Sequence, residues 1–116
     1  MEALVDFLKL ISDETRLRIM ALLYHQQLCV CELCGVMDVS QPNVSKHLAK
    51  MRDTGFVRDE KRGQYVFYSL NIENGVFKDI LKRILADSDN LPILTEDLKK
   101  AKDALKYLEL CKRGEK

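Results

Sequence analysis

Ser40-Gln41-Pro42-Asn43-Val44-Ser45-Lys46-His47-Leu48-Ala49-Lys50-Met51 is the stretch that decides the fold. Ser40 suits an N-cap, and Pro42 falls in the first turn, where a missing N–H costs little. Val44, Leu48 and Met51 then recur at i, i+4 and i+7 and share a buried stripe. Asn43, Lys46 and Lys50, at i, i+3 and i+7, share a different face that is polar and basic. The spacing predicts a helix running to about Asp53 and stopping at Gly55. A shorter helix is expected just upstream, from Cys31 to Met37. Two short helices across a tight turn, the second with a basic face, make a helix-turn-helix whose second helix suits the DNA major groove.

Downstream, Phe56-Val57-Arg58-Asp59-Glu60 and Tyr65-Val66-Phe67-Tyr68-Ser69-Leu70 are β-branched and aromatic runs. Between them lies Lys61-Arg62-Gly63-Gln64, which predicts a hairpin with a basic tip, a wing. From Ser40 to Tyr65 there are six basic and three acidic side chains, a local net charge of +3. Positive charge is thus gathered where phosphates would lie.

The flanks read as helices. Leu4, Phe7, Leu8 and Ile11 mark a first one that stops near Ser12. Ser12 or Asp13 then caps a second, with Leu17, Ile19 or Met20, and Leu23 as its stripe. A further helix is expected from about Asn74 to Ala86, before Pro92. Thr95 caps a last one, in which Leu94, Leu98, Ala101, Leu105 and Leu108 step by four and three, the seam of a helix–helix contact. The expected architecture is mainly α with a β-hairpin: a winged helix-turn-helix of about five to six helices plus a two-stranded wing. Residues 1–116 form one domain, with helices at about 2–11 and 95–111 as dimerisation elements.

The composition is that of an ordinary globular chain: 116 residues, 47% hydrophobic and 32% charged. A net charge of +1 does not by itself announce nucleic-acid binding. The first residues, Met1-Glu2-Ala3-Leu4-Val5-Asp6, mix acidic with apolar side chains and do not read as a signal peptide, so a cytoplasmic location without membrane contact is expected.

Cys29-Val30-Cys31-Glu32-Leu33-Cys34 places three of the four cysteines within six residues, directly before the reader helix. A single unpaired cysteine commonly fills space as a small hydrophobe. Three at this spacing suit one soft, thiophilic ion. Cys31-Glu32-Leu33-Cys34 is also a Cys-x-x-Cys motif, but the βαβ pattern of thiol oxidoreductases is missing, so no enzyme is expected. A structural zinc module would need the distant Cys111 as a fourth ligand.

Taken together, Leu28-Cys29-Val30-Cys31-Glu32-Leu33-Cys34, the Ser40–Leu48 stretch, Gly55 and the Arg62-Gly63 wing resemble the ArsR/SmtB family of winged-helix repressors over about residues 10 to 70. The Cys-Val-Cys-x-x-Cys signature is similar to the branch sensing trivalent arsenic and antimony. That resemblance implies a homodimer released from double-stranded operator DNA when As(III) or Sb(III) binds, with no obligatory cofactor. It also implies Cys29, Cys31 and Cys34 as ligands. The family's zinc sensors carry Asp and His ligands on a C-terminal helix, and this chain's last helix has no His. Two alternatives stay open: a thiol/disulfide redox repressor of the same fold, or a sensor of another thiophilic metal such as Cd(II) or Pb(II).

As(III) takes three sulfur ligands, yet on an ideal helix Cys29 and Cys31 point about 160° apart. Binding therefore calls for Cys29 on irregular chain or for an unwound first turn, and that distortion is the expected switch. For DNA, Gln41, Asn43, Ser45 and Lys46 are placed to reach base edges. Lys50, Lys61, Arg62 and Tyr65 suit the backbone, and His47 suits a phosphate or an internal partner.

Overall fold

Asp13 starts the first of the three helices that carry the core. Its carboxylate accepts from the Arg16 amide at 3.0 Å, and α2 (Glu14–His25) follows α1 (Glu2–Ile11) across that cap. The computed structural model describes the backbone of residues 1–112 and the side chains of residues 1–108. Next come β1 (Leu28–Cys29), α3 (Val30–Met37), α4 (Gln41–Asp53), β2 (Val57–Arg62), β3 (Tyr65–Leu70) and α5 (Gly75–Ala86). A 3₁₀ turn at Ser88–Asn90 then leads to α6 (Pro92–Ala101) and α7 (Leu105–Lys112).

Ile19, Met20 and Leu22 from α2, Leu33 and Val36 from α3, and Val44, Leu48 and Met51 from α4 are fully buried together. Each such side chain contributes about 1.5–3 kcal/mol of transfer free energy, so the three helices are held as a unit. Phe7 of α1 stacks on Phe77 of α5 with ring centroids 4.6 Å apart and planes 3° from parallel. Phe56 tilts against both, at 5.7 and 6.2 Å. This aromatic trio ties the first helix to the strand leading into the wing and to α5.

The reader is as the periodicity predicts. α3 ends at Met37, capped by Asp38 at left-handed φ +55°, and three residues after that cap α4 begins at Gln41 with Pro42 in its first turn. The wing is antiparallel, with Arg62 opposite Tyr65. Its two-residue turn has Gly63 at φ +62° followed by Gln64 at negative φ, the type II′ arrangement that demands glycine first.

Two features depart from expectation. The sheet has three strands in the order β1-β3-β2, because Leu28 and Cys29 pair antiparallel with Tyr68 and Phe67. A strand of two residues carries no alternation to be read from sequence. The last helix begins at Pro92 rather than Thr95, whose hydroxyl instead donates to the Ser88 carbonyl at 2.8 Å. It is also broken at 102–104, where Lys102, Asp103 and Ala104 donate back three residues. Three-residue turns advance faster than α-helical ones, so the seam changes phase there. Leu94 and Ala101 are buried, but Leu105 is 71% exposed and Ala104 takes the inward position.

A buried ion pair fixes the far side. Arg18 donates from Nε and Nη2 to the two Asp97 carboxylate oxygens at 2.7 and 2.9 Å, and from Nη2 to the Met37 carbonyl at 2.9 Å. One guanidinium thereby joins α2, the end of α3 and α6, and the Asp97 carboxylate raises its pKa. Among the described residues, no helix is long and apolar enough to cross a membrane.

Candidate functional site

α4 presents Lys46 and Lys50 fully outward, with Asn43, Gln41 and Ser45 half-buried beside them. Gln41 Nε2 donates to Ser45 Oγ at 2.6 Å, which orders the first turn of that face. Lys61 stands exposed near the tip of the wing. Arg52, in the last turn of α4, donates to Asp59 of β2 at 3.3 Å and so links reader helix to wing.

Three residues assigned to DNA have partners of their own. His47 is only 8% exposed and lies inside α4, with Nδ1 3.5 Å from Arg16 Nη1 and Nε2 3.8 Å from the Asp13 carboxylate. Burial lowers its pKa. It does not share the face of Lys46 and Lys50, because it sits one residue before the core residue Leu48 and three after Val44. Arg62 folds back along the wing, donating to Glu60 at 2.8 Å and to Gln27, with its guanidinium 5.1 Å from the Phe67 ring centroid. The Tyr65 hydroxyl accepts from Gln64 Nε2 at 2.9 Å.

The three cysteines hold different places around the start of α3. Cys29 is the N-cap, 2% exposed, and belongs to β1. Its sulfur accepts from the Glu32 amide, while the Glu32 carboxylate accepts from the Cys29 amide at 3.0 Å. This is a capping box in which sulfur stands where serine or threonine oxygen usually does. Burial pushes the Cys29 thiol up, and the Glu32 carboxylate adds to that. Cys31 and Cys34 are half-buried, one turn apart, on the side of the helix away from Leu33 and Val36. Among the described residues, no three His, Cys, Asp or Glu side chains converge as a metal-holding group. Cys29 thus stands on extended chain ahead of α3, which carries Cys31 and Cys34 one turn apart. The Cys111 side chain lies outside the described residues.

Sequence reasoning did not reach Glu32, although Cys29-x-x-Glu32 is the capping-box spacing with cysteine in the serine position. Nor did it reach the Arg18–Asp97 pair, whose members stand 79 residues apart. The third omission is Gly35. A Cβ built there would lie 2.1 Å from Tyr107 Cδ1, so α7 packs on α3 at a distance only glycine permits.

A three-helix reader, a glycine-turned wing and thiols at the start of the first reader helix define a winged-helix regulator. A family model described as "Bacterial regulatory protein, arsR family" matches residues 13–59, from the α2 cap into the wing. The chain is 46% identical over 68 residues to the "Arsenical resistance operon repressor" of Escherichia coli (strain K12), covering 58% of each protein. It is 35% identical over 81 residues to the "Arsenical resistance operon repressor" of Staphylococcus aureus, covering 70% of this chain and 76% of that one. Among solved structures, HlyU from Vibrio cholerae N16961 superposes with a TM-score of 0.65 at 34% identity, covering 72% of this chain and 88% of that one. The chain belongs to the ArsR family of bacterial regulatory proteins. It spans about three-fifths of the length of several curated relatives that it matches.

Proposed function

We propose that this chain is a metalloid-responsive transcriptional repressor. As a homodimer it binds double-stranded operator DNA, and it lets go when As(III) or Sb(III) is held by the thiolates of Cys29, Cys31 and Cys34. The observation that carries this reading is the place of Cys29 in the fold. The residue caps α3 from extended chain and pairs with β3, ahead of the helix that carries Cys31 and Cys34.

The donor set fits a soft, three-coordinate ion once Cys29 leaves its cap. Leaving costs the capping box and the pairs Leu28–Tyr68 and Cys29–Phe67. One of these losses unwinds the first turn of α3, which packs on the reader helix, and the other loosens the wing strand. An effector that binds the opened conformer more tightly than the closed one shifts the population toward it, and groove contacts weaken. The Cys29 thiol, raised by burial, gives up its proton on ligation.

On the DNA side, Gln41, Asn43, Ser45 and Lys46 are the base-reading candidates, and Lys50 and Lys61 the phosphate contacts. Arg62 and Tyr65 serve the backbone from within the wing, and His47 acts from inside by fastening α4 to the start of α2. Pairing of two chains is supported by apolar side chains left uncovered on α1 and α6: Val5, Leu8 and Ile93 are about 40% exposed. Ile93 lines a groove together with Ile11, Leu17, Leu91 and Leu94.

The test is a DNA-binding titration with arsenite, antimonite, zinc and cadmium, with thiols kept reduced, and a separate arm with peroxide. Release by arsenite or antimonite at the lowest concentrations is expected, and release should disappear when Cys29, Cys31 or Cys34 is changed to Ser while operator binding persists. Release by peroxide alone, or by cadmium ahead of both metalloids, overturns the assignment.

A further inference from the structure

Asp97 stands on the inward face of α6, 2% exposed, one turn after Leu94 and one turn before Ala101, both of them buried and apolar. We propose that this carboxylate and Arg18 are positioning residues for DNA reading: Asp97 aims the Arg18 guanidinium, and Arg18 sets the turn between the two reader helices by holding the Met37 carbonyl. The inference rests on the reading of DNA through α4 and is independent of any effector.

A buried charge pair calls for a reason other than stability. Replacing such a pair by apolar side chains of similar volume is often neutral or stabilising, because the attraction between the charges barely offsets the loss of their hydration. What an apolar pair cannot supply is direction. The guanidinium is planar, and its Nε–Nη2 edge lies against the two Asp97 oxygens at 2.7 and 2.9 Å. That bidentate contact fixes the plane and leaves the second Nη2 hydrogen free to donate within it, where it meets the Met37 carbonyl at 2.9 Å. A lysine ammonium carries no such fork.

Met37 is the residue at which that direction counts. It ends α3, so its carbonyl is among the four that a helix C-terminus leaves without an internal partner. The Cys34 carbonyl takes the Asp38 and Val39 amides, and Arg18 takes the Met37 carbonyl. Asp38 then turns through left-handed φ +55°, and Gln41 opens α4. A side chain with a Cβ adopts that conformation against a steric cost, so the turn is kept by what surrounds it. Glu14 and Asp38 add negative charge around the same guanidinium. One side chain of α2 is thus aimed by α6 and acts on the residue where α3 gives way to the turn.

The stripe of Val44, Leu48 and Met51 seats α4 in the core with or without Arg18. Loss of the carbonyl contact should therefore misplace the reader helix rather than unfold the chain.

The experiment compares the full parent chain with Arg18→Met/Asp97→Leu, which keeps similar volumes and removes both charges. The probes are a duplex that the parent selects from a random-sequence pool and a duplex of unselected sequence. The double variant is expected to melt cooperatively at or above the parent's temperature. Its preference for the selected duplex should fall by about fivefold or more. Its affinity for unselected DNA and the salt slope of that binding should stay at the parent's values, since no phosphate contact is removed. A pair that only stabilises would leave the preference alone, so a folded double variant with the parent's preference overturns the inference. Equal losses on both duplexes overturn it as well. Asp97→Asn keeps the volume and one acceptor oxygen, and serves if the double variant fails to melt cooperatively. Its preference should fall too, and an unchanged preference at a temperature below its own melt counts against the inference in the same way. A parent chain that enriches no sequence from the pool sinks the DNA reading itself, before any variant is compared.

Discussion

Cys29 and Glu32 hold each other by two reciprocal hydrogen bonds, the carboxylate taking the Cys29 amide at 3.0 Å and the sulfur taking the Glu32 amide. The relationship closes the first turn of α3 and keeps a thiol in the core. Both consequences bear on how easily the cysteine cluster can gather around an ion.

Glu32→Ala removes half of that box. Loss of a cap costs about 0.5–2 kcal/mol, and the cost falls on the closed conformer, which alone contains it. Urea unfolding should show a drop of about 1 kcal/mol. The arsenite concentration for half-release of DNA should fall by up to about fivefold, since 1 kcal/mol is about a factor of five. An unchanged or higher concentration would detach the capping box from the switch.

Gly35→Ala sets two effects against each other. Alanine favours the helix by up to about 1 kcal/mol, but its Cβ would collide with the Tyr107 ring and displace α7, an overpacking cost of about 1–3 kcal/mol. Alone, the substitution should destabilise. In a Tyr107→Gly background, which also removes the residue-107 Cβ that would stand 2.7 Å away, the collision is gone and the same substitution should stabilise. Thermal melts of the four proteins check the sign change, and equal effects in both backgrounds would show that the α3–α7 contact does not form.

His47 titrates against stability. Its folded pKa is lowered below the ordinary 6.5 by burial, so the unfolded chain binds the proton more readily and folding weakens as pH falls through and below that value. Stability should therefore rise with pH through the region just below 6.5, and His47→Gln should flatten that segment. Asp13 is lowered below its ordinary 3.8, chiefly by the Arg16 amide. It too loses stability on acidification, but in a separate window near and below that value. Denaturant midpoints across pH 3 to 8 check both, and a parent more stable at pH 5 than at pH 7.5 contradicts the sign for His47.

Lys61 and Arg62 should part company in DNA binding. Lys61→Ala should lower the slope of log affinity against log salt by about one unit while leaving sequence preference intact. Arg62→Ala should change the slope less and the melting temperature more, because its guanidinium already serves Glu60, Gln27 and Phe67. Equal slopes for Lys61→Ala and the parent remove the wing tip from the DNA interface.

Much of this was legible from residue order alone. The reader helix announced itself because Ser40, Pro42 and the Val44–Leu48–Met51 stripe agree with one another. The wing did so because Gly63 sits between two β-branched runs. What escaped depends on partners distant in sequence. β1 exists only because Phe67 and Tyr68 are there to pair with it. The outward turn of Leu105 follows from the tightened turns at 102–104, which no stripe of leucines foretells. The inward place of His47 was one of two readings the helix pattern allowed, and Arg16 and Asp13 decide between them. The cysteines were legible as a cluster, and a place for Cys29 on irregular chain ahead of the helix was one of the two arrangements that helix geometry called for. That one of them is a cap was not, because cysteine is a rare occupant of that position.

The Arg18 guanidinium binds the Met37 carbonyl and Asp97 at once, so α3 is pinned at its last residue and closed at its first by the Cys29–Glu32 capping box. A rod fastened at one end and latched at the other can swing but not slide. Under the proposed switch, opening the latch would turn α3 about a pivot beside the helix-turn-helix corner. The reader helix would then change its angle in the groove while keeping its place along the DNA axis. An effector acting through such a hinge should weaken operator affinity without altering the spacing of the half-sites that a pair of chains prefers.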